Sequence, residues 1–148
     1  HSYGGRRTPR TEVMFGPPGK AYVYTIHGHH CLNVVSGPEG VPNAILIRAL
    51  EPTRGVDKMI ERRGRDYDLT NGPGKLCQAL GITRQHNGWD FLDSPLRISE
   101  GIPVKTVAVG HRIGIENTGE ARWYPYRFWI DGNEHVSRPR KALKKIQL

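Results

Sequence analysis

The chain has 148 residues, of which 36% are hydrophobic and 24% are charged, with 18 glycines and 11 prolines. This length fits one domain, and the composition is that of a turn-rich globular protein and not of a disordered chain. The longest aliphatic run, Ala44–Ile47, is too short to cross a bilayer, and the first residues lack a signal-peptide pattern. We therefore expect neither a membrane span nor secretion.

The charge balance favours a polyanionic partner. Twenty-two Lys and Arg residues face 14 Asp and Glu residues, which gives a net charge of +8 at neutral pH. Such an excess attracts nucleic acid, although it also serves plain solubility. The basic residues are clustered, as contact with phosphates requires: Arg6, Arg7 and Arg10 at the start; Arg54, Lys58, Arg62, Arg63 and Arg65 in the middle; Arg138, Arg140, Lys141, Lys144 and Lys145 at the end. We interpret residues 138–148 as a mobile basic tail.

The first half of the chain predicts a hairpin. Residues 1–20 are polar, basic and punctuated by Gly and Pro, which indicates an ordered loop. Ala21–Ile26 and His30–Ser36 are rich in Tyr, Val, Ile and Leu, and they flank a short connection that contains Gly28. This pattern is typical of a β-hairpin with glycine in the turn.

Further strands and two helices follow the hairpin. Ala44–Leu50 predicts an apolar strand interrupted by Arg48, a buried charge that needs an anionic or hydrogen-bonding partner. Val56–Arg63 and Lys75–Leu80 predict helices, the second one ended by Gly81. Short strands separated by Gly and Pro are predicted at Leu96–Ile98, Lys105–Val109, Arg112–Ile115 and Tyr126–Ile130. The fold class is therefore α+β, a single domain with a curved, mostly antiparallel sheet, a protruding hairpin and a few flanking helices.

Two Gly-Lys turns invite comparison with phosphate-binding loops. The segments Phe15–Lys20 and Asn71–Lys75 lack the glycine spacing of such a loop and the Ser or Thr after the lysine. Their prolines also remove amides that would bind phosphate. We interpret both as rigid turns that each present one lysine to a nucleic-acid backbone.

Three histidines and a cysteine fall within residues 27–31, which raises the possibility of zinc. Zinc sites usually bring a second ligand pair from elsewhere in the chain, and neither Cys77 nor the remaining histidines show paired spacing. We expect no metal and no cofactor, with a zinc protein as the less favoured alternative. Cys31 and Cys77 are interpreted as reduced, intracellular thiols. No nucleophile or acid–base motif is present among these residues.

Seven segments occur in order along the chain: HSYGGRRTPRTEVMF, AYVYTIHG, CLNVV, ILIRALEP, NGPGKLCQALGI, RIGIENTGEA and YRFW. Together they closely resemble the alkyladenine (3-methyladenine) DNA glycosylase family, its bacterial branch more than its animal one. The resemblance implies a monofunctional glycosylase of base-excision repair. Such an enzyme flips an alkylated or deaminated purine (3-methyladenine or hypoxanthine class) from duplex DNA and hydrolyses its N-glycosidic bond with water. It also implies damaged double-stranded DNA as the partner, and we expect a monomer at the nucleoid of the bacterial cytoplasm.

The resemblance implies roles for individual residues. His1, Tyr24 and Asn33 match the positions that shape the base pocket. Arg48 matches a buried arginine near the catalytic water, and Ile113 matches a residue whose backbone carbonyl helps to hold that water. The residues expected to contact the DNA backbone are Arg6, Arg10, Met14, Lys20 and Lys75.

The hairpin tip departs from the animal members of the family. His27 stands where they carry a tyrosine that fills the gap left by the flipped base, and the connection from Tyr24 to Asn33 is one residue shorter. Because side chains alternate along a strand, the shortening must be absorbed in the turn if Asn33 is to stay in the pocket. We expect it to be absorbed around Gly28–His30.

Two functional residues of the family precede the position of His1. They are the catalytic glutamate that activates the water and a second pocket aromatic, so residues 1–148 are interpreted as a family domain without its N-terminal segment. Arg48 and Ile113 can orient a water but cannot deprotonate it, so these residues alone predict binding without efficient turnover. Because His1 falls inside a motif, we expect the gene product to contain the preceding segment. The alternative function is a non-catalytic damaged-DNA-binding protein on the same fold.

Overall fold

The computed structural model describes residues 2–137 and 141–148. The chain divides into two compact units, His1–Ser99 and Glu100–Leu148. Each unit contains a three-stranded antiparallel sheet, and the first also contains two α-helices. The α+β class and its antiparallel pairing are confirmed, although the strands form two sheets where the sequence predicted one curved sheet. No helix in the described part of the chain is long and apolar enough to span a membrane.

The hairpin of the first unit joins β1 (Ala21–Ile26) to β2 (His29–Val35). Its connection consists of His27 and Gly28 alone, with φ angles of 47° and 77°. Both angles lie in the left-handed region that a two-residue type I′ turn requires, which is why glycine is suited to the second position. The pairing continues without a bulge to the ends of both strands. β2 therefore begins at His29, one residue earlier than the predicted start at His30.

β3 (Ala44–Leu46) pairs with β2 on the side opposite β1. It is shorter than the strand predicted over Ala44–Leu50. One further backbone hydrogen bond follows it, from the Ile47 N–H to the Leu32 carbonyl at 3.0 Å. Beyond this point the chain leaves β2, because Leu50 bonds instead to the carbonyl of Thr70.

The two faces of this sheet pack against different partners. One face carries Ala21, Val23 and Leu32, which join Leu76 and Cys77 in the largest buried cluster. The other face packs against the N-terminal segment, in a smaller cluster of Met14, Tyr22 and Val35. The period-two alternation of β1 and β2 thus supplies two cores, one on each side of the sheet.

Helices α1 (Val56–Arg63) and α2 (Pro73–Leu80) pack against each other beside the sheet. α1 has the predicted bounds, whereas α2 begins two residues earlier than predicted, with Pro73 in its first turn. Proline fits there because N–H groups in the first turn of a helix have no acceptor within the helix, so a residue without an N–H loses no hydrogen bond. The predicted glycine stop is confirmed, since Gly81 has a φ of 71° and its N–H bonds back into the helix.

The free edge of β1 is covered by side chains and by a neighbouring loop. Its outward backbone groups would otherwise be an unpaired edge. The Ala21 N–H donates to the Trp89 carbonyl, and the Ala21 carbonyl accepts from the Gly88 N–H. The Val23 N–H donates to the Asn87 side chain, and the Val23 carbonyl accepts from Arg84. The Thr25 carbonyl accepts from Arg10. The strand that carries Tyr24 is therefore fixed on both edges.

The second unit contains β4 (Thr106–Gly110), β5 (Arg127–Trp129) and β6 (Lys144–Gln147), with β4 in the centre. β4 and β5 lie within one residue of their predicted bounds. The strands predicted at Leu96–Ile98 and Arg112–Ile115 are wrong, because these residues form no ladder with any described strand. Gly114 has a φ of 77° within a bend, which interrupts extended backbone.

The expectation of a mobile tail is wrong for Lys144–Gln147. These residues form β6, in which Ile146 pairs with Val107 of β4. The strand is further held by an ion pair of 2.7 Å between Lys145 and Asp131. Arg138 and Arg140 lie outside the described residues.

Replacing Leu76 with Ala tests the larger core of the first unit. Leu76 is 0% exposed, so the substitution removes buried methyl groups and leaves a cavity. We expect the free energy of unfolding to fall by about 2–5 kcal/mol, measured by urea denaturation of the full chain. The matched control is Leu92→Ala, at a side chain 79% exposed, which should change stability by less than about 0.5 kcal/mol. Equal losses in the two variants would contradict this assignment of the core.

Candidate functional site

The strand register of the first sheet places Tyr24, Cys31 and Arg48 in one row across its three strands. Tyr24 pairs directly with Cys31. Arg48 follows Ile47, whose N–H donates to the Leu32 carbonyl next to Cys31, and its guanidinium is close enough to Tyr24 and Cys31 to interact with both electrostatically. We call these three residues the Tyr24 row. They are far apart in the sequence and meet only because the strands pair in this register.

Burial sets the charges in the Tyr24 row. Burial raises the pKa of the Tyr24 hydroxyl and of the Cys31 thiol, so both are protonated at neutral pH. Burial also lowers the pKa of the Arg48 guanidinium, and the neighbouring Tyr24 and Cys31 oppose this shift. Because arginine stays charged in proteins, the row places one cation beside a neutral phenol and a neutral thiol.

Among the residues that the structure describes, no carboxylate forms an ion pair with the half-buried Arg48. Among the described groups, its neighbours in the row are neutral side chains. The guanidinium is therefore suited to hold an anion, a polar substrate group or a water molecule.

Arg10 brings a second cation to the Tyr24 ring. Its guanidinium carbon lies 5.3 Å from the ring centroid, within the range of a cation–π contact. Its Nη2 donates to the Thr25 carbonyl at 3.0 Å, which ties the side chain to the backbone next to Tyr24. The sequence assigned Arg10 to the DNA backbone, whereas the structure places it against the predicted pocket aromatic.

Asn33 lies on the same sheet face as Tyr24, as the predicted pocket requires. It pairs with Tyr22, two residues before Tyr24 on β1. Its side chain is buried, and its Nδ2 donates to the carbonyls of Tyr22 at 3.0 Å and of Cys31 at 3.3 Å. The amide nitrogen is therefore engaged by backbone, and the side-chain oxygen is the group with acceptor capacity to spare.

Ile113 and His1 are the remaining positions predicted to hold the water and to shape the pocket. Ile113 is 7% exposed and belongs to the second unit, shortly after β4. His1 lies outside the described residues. The structure thus brings together Tyr24, Asn33 and Arg48, on one face of one sheet.

The hairpin tip exposes the side chains of Ile26, His27 and His29. His27 has its backbone in the left-handed region of the type I′ turn. The neighbouring His30 has its Nδ1 3.0 Å from the Thr25 Oγ1. No group of three or more His, Cys, Asp or Glu side chains is placed to hold a metal ion in residues 2–137 and 141–148.

The lysines of the two Gly-Lys turns are paired with carboxylates. Lys20 lies 3.0 Å from Asp90, and Lys75 lies 3.1 Å from Asp68. A phosphate would have to compete with these partners. Arg6, in contrast, is exposed and takes part in none of the ion pairs found among the described residues.

Met14, which the resemblance assigns to the DNA backbone, lies in the interior of the first unit. Its side chain is 8% exposed and belongs to the smaller core. Its N–H donates to the Thr11 carbonyl at 2.9 Å, so the backbone donor is also occupied. Met14 therefore supports the position of the N-terminal segment and offers no free donor to a phosphate.

Two open clefts lie between the hairpin end and α2, with volumes of about 540 and 360 Å³. They share His29, Gly74 and Gln78 as lining residues. Sequence reasoning did not find these clefts. Neither is lined by a member of the Tyr24 row, so they are a separate feature of the surface.

Comparison with known proteins identifies the family. The model of the family Methylpurine-DNA glycosylase (MPG) matches residues 1–134. The chain belongs to this family. Three bacterial relatives named "Putative 3-methyladenine DNA glycosylase" match over 140 residues, which is 93% of this chain and 71% of each relative. They are 55% identical in Oceanobacillus iheyensis, 52% in Bacillus licheniformis and 51% in Bacillus subtilis.

Membership of the methylpurine-DNA glycosylase family confirms the resemblance inferred from the seven segments. A DNA glycosylase is a hydrolase of N-glycosyl bonds in DNA, so the predicted enzyme class is confirmed as well. The excess of positive charge in this chain has its explanation in a DNA substrate.

Two neighbours of Tyr24 were missed at the level of the sequence. Cys31 was considered as a zinc ligand or a reduced thiol, and Arg10 as a phosphate contact. A two-residue turn at His27–Gly28 would have predicted the Tyr24–Cys31 pair by counting from the turn outward. Nothing in the sequence signals the contact between Arg10 and Tyr24, which depends on how the N-terminal segment packs on the sheet.

The Lys20–Asp90 pair predicts a pH dependence of stability. A backbone N–H from Leu92 and the Lys20 ammonium both lower the pKa of Asp90. A lowered folded-state pKa stabilises the fold above the unfolded value of about 3.9, and this stabilisation is lost as pH falls through the folded pKa. We expect Asp90→Asn to lower the urea midpoint at neutral pH, and the two proteins to converge below about pH 3.9.

The control for this measurement is Glu39→Gln. Glu39 is exposed and takes no part in the ion pairs between described residues. Its substitution should leave the pH profile of the urea midpoint unchanged. A constant difference between Asp90→Asn and the unmodified protein at every pH would contradict the role of the Asp90 charge.

Proposed function

We propose that this glycosylase swings an alkylated or deaminated purine of the 3-methyladenine or hypoxanthine class out of duplex DNA and releases it by hydrolysis. The observation that carries the proposal is the Tyr24 row, in which an aromatic ring and a guanidinium without a carboxylate partner lie on one sheet face. We further propose that the protein acts as a monomer on bacterial chromosomal DNA. His1, at the position of the family's second ring contact, would complete the pocket.

Tyr24 supplies the stacking surface in this proposal. Unstacking and unpairing a base costs a few kcal/mol, and stacking on an aromatic side chain returns about 1–3 kcal/mol. The ring is half-buried, and its strand is bonded on both edges, so it is held in place before DNA arrives. A platform that is already ordered loses little entropy when a base stacks on it.

Arg48 orients the attacking water in this proposal, together with the Ile113 carbonyl. A guanidinium donates hydrogen bonds but does not accept a proton, so it positions the water without activating it. Activation requires a general base within hydrogen-bond reach of that water. We assign this step to the glutamate that the family resemblance places before His1. Asn33 is proposed to discriminate among purines through its side-chain oxygen.

The hairpin tip is proposed to fill the gap that the flipped base leaves. His27 stands at the tip of a tight two-residue turn, beside the exposed Ile26. An imidazole is smaller and better hydrated than a phenol, so this wedge is weaker and relies on hydrogen bonding. Phosphates on either side are assigned to Arg6, and to Lys20 and Lys75 once these lysines leave their carboxylates.

A non-catalytic damaged-DNA binder is the second candidate. It is favoured by one observation, that the ion pairs between described residues leave Arg48 without a carboxylate that would serve as a base. Binding does not separate the two candidates, because a basic surface binds any duplex. Release of the free base does separate them.

The excision assay uses the complete product of the encoding gene and a duplex with a single hypoxanthine or 3-methyladenine. We expect release of the free base, and we expect Tyr24→Leu to lower kcat/KM about tenfold because a stacking surface is lost. Tyr24→Phe keeps the ring and should retain most of the activity. Tyr67→Leu, at a tyrosine 63% exposed, is the matched control. Binding of damaged DNA without any release would favour the second candidate.

Replacing His27 with Ala tests the wedge. The gap exists only in a duplex, so the variant should lose more excision activity on double-stranded DNA than on a single strand with the same lesion. The measurement is the ratio of the two single-turnover rates, compared with that of the unmodified protein. An unchanged ratio would mean that His27 does not fill the gap.

A further inference from the structure

We propose that Arg10 makes this protein selective for neutral purine lesions over cationic ones. The inference rests on the proposed function, since it takes Tyr24 as the surface on which the flipped base stacks. It goes further because it uses the positive charge of the site to say which class of lesion is preferred. Arg10 acts here as a specificity-determining residue and takes no part in proton transfer.

The position of Arg10 is fixed by its neighbours. Thr11 is 1% exposed and accepts a hydrogen bond from the Thr8 N–H at 2.9 Å, which closes a compact turn around Arg10. Met14, one turn further on, is packed in the core. The bond from Arg10 to the Thr25 carbonyl holds the guanidinium beside the Tyr24 ring. A base that stacks on the remaining surface of this ring therefore comes within range of the guanidinium charge.

Two cations lie close to the Tyr24 ring. Arg48 ends the Tyr24 row, and Arg10 covers the ring itself. The acidic residue nearest to Arg10 in the sequence, Glu12, forms its ion pair with Arg7 instead. The ion pairs between described residues include neither Arg10 nor Arg48, so both cations keep their full charge towards a base.

The two lesion classes respond differently to such a cation. In a purine deoxynucleoside methylated at N3 or N7 the base carries a positive charge, whereas hypoxanthine is neutral. When the N-glycosidic bond breaks, its electron pair goes to the base, while the oxygen of the water bonds to C1′ and one proton of the water is released. A neutral base develops negative charge as it leaves, and a cationic base becomes neutral.

Selectivity follows from this difference of one charge. Arg10 attracts the negative charge that develops on hypoxanthine in the transition state. It repels the bound cationic lesion, and it does not stabilise the departing base by charge attraction, because that base leaves as a neutral molecule. Two unit charges about 4 Å apart in a water-like dielectric correspond to about a fivefold change in kcat/KM, which sets the scale of the effect. The sign of the effect favours hypoxanthine.

The experiment measures kcat/KM of the complete gene product on two duplexes of identical sequence, one with hypoxanthine and one with 7-methylguanine. The ratio of the two values cancels every contribution from phosphate contacts, which both duplexes share. We expect Arg10→Gln to lower the hypoxanthine/7-methylguanine ratio about fivefold. Arg10→Lys keeps the charge and should keep the ratio within about twofold, which a purely structural role would not predict.

Arg6→Gln is the matched control, because Arg6 is an exposed arginine of the same segment. It should lower both values by the same factor. Higher salt should also lower the ratio of the unmodified protein, because ions screen the charge. A ratio unchanged by Arg10→Gln, in a variant that melts like the unmodified protein, overturns the inference. Failure of the unmodified protein to release either base overturns the proposed function instead.

Discussion

The pairing register of β1, β2 and β3 is the constraint on which the candidate site depends. It places Tyr24, Cys31 and Arg48 in one row, although they come from three separate strands or strand ends. The β1–β2 part of this register is set by the two-residue turn at His27 and Gly28, since both residues adopt left-handed backbone. A turn one residue longer or shorter would move the side chains of β2 to the opposite face.

The difference between the two sheet faces explains where the site lies. The face that carries Val23 and Leu32 is closed by α2, and these two side chains are buried. On the opposite face the N-terminal segment packs against Tyr22 and places Arg10 beside Tyr24, while Tyr24 and Arg48 are half-buried. A half-buried ring is anchored by packing and still presents a surface to a ligand.

The net charge of the chain gives little information about which cations are available to DNA. Lys20 and Lys75 are paired with aspartates, and Arg10 is held against Tyr24. Arg48 is half-buried without a carboxylate partner among the described residues. These four cations count equally in the sequence, yet the fold gives them three different environments. The electrostatics of a glycosylase site therefore have to be taken from neighbours and not from composition.

The sequence by itself determined the features that depend on local chemistry. The alternation of β1, the glycine of the hairpin turn and the bounds of α1 all follow from short-range preferences, and the seven ordered segments identified the family. The structure also places Tyr24 and Asn33 on one face, as alternation across a tight turn requires.

Only the tertiary structure decided the features that need a distant partner. β3 ends at Leu46, where the chain turns towards Thr70, and Lys144–Gln147 becomes a strand because β4 offers an open edge. In the same way, Met14 is a core residue and Arg10 is a neighbour of Tyr24 because the N-terminal segment packs on the sheet. Strand pairing and packing are long-range interactions, and the residues that make them carry no local signal of their partners.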